Sequence, residues 1–242
     1  MNDLQRLRTA VIGLVAFAGA EDEVLLTQSA AAGPEQGSPE RWAARPLVAH
    51  NTELKRQQVK RFESIRCAEI PPSFPEIDHR SEVVYKRYCE RTQSIAAESR
   101  AATLALIEEV GLASDEDLVD PSRHAWLEGR HLWLQTVVRG FWHPSGHLGE
   151  YYLVHGSPEL AVSLQSRAVA LATFVSAPGP ARAMASYNLA CAQARAEMPA
   201  EALETLGHAI DLNPQLGPKA LGDPDLEALK RDGRLAALLG SP

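Results

Sequence analysis

Cysteine is scarce in this 242-residue chain, and the three that occur, Cys67, Cys89 and Cys191, are widely separated and odd in number. They form no CxxC pair, so neither a disulfide framework nor a thiolate zinc site is indicated. They are expected to be buried as small hydrophobes in a cytoplasmic protein. Aromatic residues make up only 6% of the chain, while Ala and Leu abound, which favours helix. An excess of positive charge is also missing. The formal net charge of −7 gives no general attraction to nucleic acid or to anionic membranes, and neither is expected as a partner. No segment sustains the alternation with β-branched residues that a sheet needs, and no apolar run is long enough to span a bilayer. Nor is there a glycine-rich phosphate loop, a nucleophile elbow or a dinucleotide fingerprint.

What is present is helical periodicity. "LRTAVIGLVAFAGAEDE" mimics a short signal peptide, but Leu4, Leu7, Val11, Leu14 and Ala18 recur at threes and fours and the pattern runs on into Val24 and Leu25. A first helix is therefore expected over residues 3–30, closed by the Gly/Pro-rich "AAGPEQGSPE". A second follows around "RPLVAHNTELKRQQVKRFESIRC", with Pro46 in its first turn. "IPPSFPEIDHRS" reads as a loop. A third helix should start after Ser81 and close at Gly111. The fourth should run from about Trp126 to Trp142, with Trp126, Trp133 and Trp142 in the core. Four amphipathic helices joined by loops predict an all-α bundle.

The C-terminal third has a different pattern. "YNLACAQARAEMPAEALETLGHAIDLNP" resembles a tetratricopeptide repeat, with Leu189-Ala190, Ala202, Ala209 and Pro214 at the offsets of that helix–turn–helix unit. A weaker copy carries Leu148-Gly149, Tyr152, Gly156, Ala161 and Ala168. The step from Leu148 to Leu189 is 41 residues, longer than the usual repeat of about 34. The expected organisation is a helical bundle over residues 1–156, then TPR-like helical hairpins with a capping helix over 157–242.

Chemistry, if any, rests on histidine. Of the eight, His50 shares an inward stripe with Leu47, Leu54, Gln58 and Ile65, while Lys55, Arg56 and Lys60 fall elsewhere on the wheel. A buried imidazole needs a hydrogen-bond partner, a proton shift or a metal. His143 and His147 have the i,i+4 spacing of paired metal ligands, but Pro144 stands between them, and no HExxH glutamate is present. The helix either kinks there against Gly140 or ends near Trp142 and restarts. His155 reads as a helix-end residue, His131 as a reserve ligand, and His79, His124 and His208 as loop or surface residues. "KRQQVKR" (Lys55 to Arg61) reads mainly as a solvated face, although Gln58 and Arg61 lie near the inward side, where either could meet a substrate carboxylate.

Two of these stretches resemble the DinB family. In "RWAARPLVAHNTELKRQQ", Trp42 precedes His50 by eight positions, as a Trp precedes the family's second-helix His. "HPSGHLGEYY" is similar to its later HxxxH element, from which Pro144 is a departure. The resemblance covers about residues 1–155 and implies a DinB-like four-helix bundle. It further implies a three-histidine site of His50, His143 and His147 holding a divalent metal, Zn or Ni. Three neutral imidazoles leave such an ion its full charge, able to acidify a bound water or thiol. Characterised relatives use this on low-molecular-weight thiols, mycothiol-dependent transferases and maleylpyruvate isomerases among them. The expectation is thus a metal-dependent thiol S-transferase or isomerase with a small-molecule substrate and a small thiol as co-substrate. The alternative is a TPR-type protein- or peptide-binding module whose metal is structural or vestigial. The resemblance also implies homodimers, unless the appended repeats cover that surface.

Overall fold

The computed structural model describes residues 2–28, 43–74, 94–231 and 233–239. Every regular element among them is helical, and none of the helices is long and apolar enough to cross a membrane. The described chain divides into two compact units at Leu148/Gly149.

The first unit is built from α1 (Asp3–Gln28), α2 (Ala44–Arg66), α3 (Ile95–Leu112), the short α4 (Asp115–Val119) and α5 (Leu132–Val137). A π-helical turn, Val138–Trp142, then leads without interruption into α6 (His143–Val154). Apolar residues at threes and fours put Val11, Leu14, Val15, Ala18 and Leu25 of α1 in the core, as the periodicity predicts. α1 packs on α3 and on the π turn, and α2 packs on the same two elements. Glycine permits these close crossings. A Cβ on Gly19 would stand 2.5 Å from Thr103 Cγ2, and one on Gly140 would stand 2.8 Å from Val15 Cγ2. Phe141 meets Phe17 edge-on beside that point, with centroids 6.2 Å apart.

The fourth helix differs from expectation at both ends. Ala125–Leu127 forms only a 3-10 turn, and helix proper begins at Leu132, after His131. Of the three tryptophans expected in the core, Trp133 is buried but Trp126 and Trp142 are only partly buried. Pro144 neither ends the helix nor falls at a restart. The preceding turn widens instead, with the His143 N–H reaching the Val138 carbonyl five residues back. In a regular α-helix the proline ring would collide with the Gly140 carbonyl; a wider turn just before it gives the ring room. The Ser81 cap, the first half of the expected third helix and the "AAGPEQGSPE" connection lie outside the described residues.

The second unit, which begins within the last turns of α6, contains α7 (Pro158–Phe174), α8 (Gly179–Arg195) and α9 (Pro199–Leu212). The shorter α10 (Leu216–Gly222), α11 (Glu227–Arg231) and α12 (Arg234–Leu238) follow. α7 packs on α8, and α8 on α9. The small residues singled out in the sequence lie at these crossings: Ala161, Ala168, Ala190, Ala202 and Ala209 are all fully buried. The connections repeat as well. The N–H of Ser157, Ala177 and Met198 each reaches a carbonyl five residues back, on Tyr152, Ala172 and Gln193. The residue before each, Gly156, Ser176 or Glu197, is left-handed with φ of 76°, 51° and 60°. This is the Schellman closure of a helix C-terminus, used three times in succession.

Candidate metal centre

His50 is fully buried on α2 in line with buried Leu47, Leu54 and Gln58, as its stripe predicts. The α5–π–α6 run brings His143 and His147 opposite it. The Nε2 atoms of His50 and His147 are 3.2 Å apart, and one candidate ligand nitrogen from each of the three rings lies within 4.8 Å of the other two. Ring centroids are 4.9 Å apart for His50 and His147, 4.4 Å for His143 and His147, and 5.9 Å for His50 and His143. Zn–N bonds of about 2.0–2.1 Å at tetrahedral angles place ligand nitrogens about 3.3 Å apart. The His50–His147 separation matches that edge. The donor set therefore fits a divalent ion of the zinc type: three neutral nitrogen ligands on two helical segments, with His50 in a fully buried setting.

The other histidines are placed elsewhere. His131 Nδ1 lies 2.7 Å from the Val119 carbonyl oxygen and takes no part in the cluster. His155 sits just past α6, its ring 4.1 Å from that of Tyr151, and His208 is exposed. His124 lies in a connection, as expected of a loop residue, but its side chain is buried, with Nε2 3.5 Å from Asp117 Oδ1. His79, Trp42 and Cys89 lie outside the described residues.

In the "KRQQVKR" stretch Gln58 and Arg61 are buried, in keeping with their inward position, but Lys55 and Gln57 are buried as well and depart from the solvated face expected of them. Lys55 Nζ donates to Asp22 Oδ2 at 2.6 Å, and both side chains are fully buried. Asn51 donates to Asp22 Oδ1 at 2.9 Å and Ser99 to Oδ2 at 3.3 Å, so this knot ties α1, α2 and α3 together one turn from His50. No sequence motif marks it; the only hint is that Lys55 follows Asn51 by one helical turn. Farther along α2, Gln58 donates to Thr136 Oγ1 at 3.1 Å and accepts from Arg61 Nη1 at 3.3 Å.

A second cluster of metal-ligating side chains occurs in the second unit, where Cys191, Asp223 and Asp225 converge. Its groups already have other work. Tyr187 Oη donates to Asp223 Oδ2 at 2.8 Å, and Arg195 Nη1 donates to Asp225 Oδ1 at 2.8 Å. Burial, reinforced by the two carboxylates, pushes the Cys191 thiol well above its ordinary pKa. These bonds tie α8 to the 3-10 turn Pro224–Leu226, which follows α10.

Comparison with known proteins yields no match of this chain to a family model, a curated protein or a solved structure.

Proposed function

We propose that His50, His143 and His147 hold a divalent cation, Zn or Ni, and that the protein is a metal-dependent enzyme of the DinB-like type. The observation that carries this reading is the convergence of three imidazoles from segments 97 positions apart, two of their nitrogens at 3.2 Å. A cation held there would supply Lewis acidity toward a thiol or a water. The residues of the chain do the rest. Three neutral rings add no negative charge, so the cation's field is not diminished by its own ligands. The π turn sets the direction in which His143 and His147 point, and the packed interior of α2 fixes His50. Together with the short motifs around Trp42–His50 and His143–Gly149, this supports thiol S-transfer or isomerisation as the reaction class, with a low-molecular-weight thiol as co-substrate.

The alternative reading, supported by the successive helical hairpins α7–α8 and α8–α9 with buried small residues, is a TPR-type protein- or peptide-binding module whose metal is structural or vestigial.

The test is metal content of the purified, untagged protein, measured by mass spectrometry beside His50→Ala and His147→Ala. About one ion per chain, lost in both variants, is expected. Absence of metal after incubation with Zn or Ni would overturn the enzyme reading and leave the docking role.

A further inference from the structure

Arg61 is buried, with 6% of its surface exposed. A buried cation ordinarily has a carboxylate beside it, because an uncompensated charge in the interior is costly. Arg61 has none among the described residues. Its hydrogen bond goes to the neutral Gln58 amide. Its Cζ lies 5.1 Å from the Phe74 ring centroid and 5.2 Å from that of Trp126. The charges acting on it are of its own sign: burial first, then Arg139 and Arg130, bring the guanidinium pKa down to about 10. Two buried donors here have no hydrogen-bond partner among the described residues, Arg61 Nε and Trp126 Nε1. Trp126 also lines a cleft of about 410 Å³ with Ile65, Glu69, Pro71, Arg123 and His124, next to Arg61 on α2 although Arg61 is not itself on its wall. Asp117, on the same cleft, is engaged by Arg123 and His124.

We propose that Arg61, Gln58 and Trp126 form a recognition site for a small carboxylate with an apolar body. The Gln58 amide is fixed by Thr136 and holds Nη1, which leaves the Nε edge of the guanidinium as a planar fork for two carboxylate oxygens. The indole N–H is a further donor close by, and the Phe74 and Trp126 rings suit an apolar group better than hydrated phosphate. The site is distinct from the histidines: Arg61 is 11 residues beyond His50, about 16 Å along the helix axis. It goes beyond the metal-site reading and does not depend on it.

Sodium benzoate is the probe, with inorganic phosphate and chloride as controls, titrated into the full-length protein while the tryptophan indole N–H signals are followed by NMR. Trp126→Phe identifies the Trp126 signal. Benzoate is expected to move that signal saturably, in wild type and in His147→Ala alike. Arg61→Lys keeps the charge but loses the fork, and should weaken binding about tenfold or more. A benzoate-dependent rise in thermal midpoint, present in wild type and reduced in Arg61→Lys, gives a second reading of the same event. No saturable movement, equal movement in Arg61→Lys, or a stronger response to phosphate than to benzoate would each overturn the assignment.

Discussion

Lys55 and Asp22 show how much a single buried charge can decide. Neither side chain touches solvent, and Asp22 gathers donors from Lys55, Asn51 and Ser99. Removing one partner leaves the other charged in the interior, a loss of about 3–5 kcal/mol. Lys55→Met should therefore lower the denaturation midpoint in urea sharply, whereas Lys55→Met combined with Asp22→Leu should recover much of that loss. A double variant no more stable than the single one would show that the knot acts through Asn51 and Ser99 instead. In the sequence Lys55 reads as solvent-facing because a lysine does so until its partner is known, and Asp22 is 33 positions away. His50 was legible for the opposite reason, since Leu47 and Leu54 mark its stripe without any knowledge of other helices.

Among the elements, the three closures after α6, α7 and α8 place unlike residues in one conformation. Gly156 meets the left-handed backbone without strain, but Ser176 and Glu197 pay the usual penalty of about 1–2 kcal/mol for an L-residue there. Glu197→Gly is thus expected to stabilise the protein by several tenths to about 1 kcal/mol, and Gly156→Ala to destabilise it by about as much. Thermal denaturation of the two variants checks the sign. The sequence discloses the first closure through its glycine but hides the other two. Helix boundaries were legible where apolar spacing is strong, as at both ends of α2. They were not legible near Trp126, where a large aromatic mimics the start of a core face although the backbone only makes a 3-10 turn.

For the molecule as a whole, the distribution of tryptophan provides a convenient reporter. Trp42, Trp126, Trp133 and Trp142 all precede the unit boundary at Leu148, so indole fluorescence follows the first unit while far-ultraviolet dichroism follows both. A cation bound at the histidines stabilises the state that binds it by mass action. Added Zn should raise the fluorescence midpoint by more than the dichroism midpoint, and His147→Ala should abolish the difference. Equal shifts by both probes would mean that the two units unfold as one.

The π turn at Val138–Trp142 has a further consequence, one of phase. A π turn carries one residue more than the α-helix it interrupts, and each residue advances a helix by about 100°. Everything downstream is therefore out of step with everything upstream by about that angle. Trp133 and Val137 face the core in one frame, and His143 and His147 face His50 in the next. A lineage that lost a single residue from this turn would keep its hydrophobic pattern on either side, yet would rotate both histidines away from the third and set the Pro144 ring against a helical carbonyl. Sequence alignment alone would record that event as a one-residue gap.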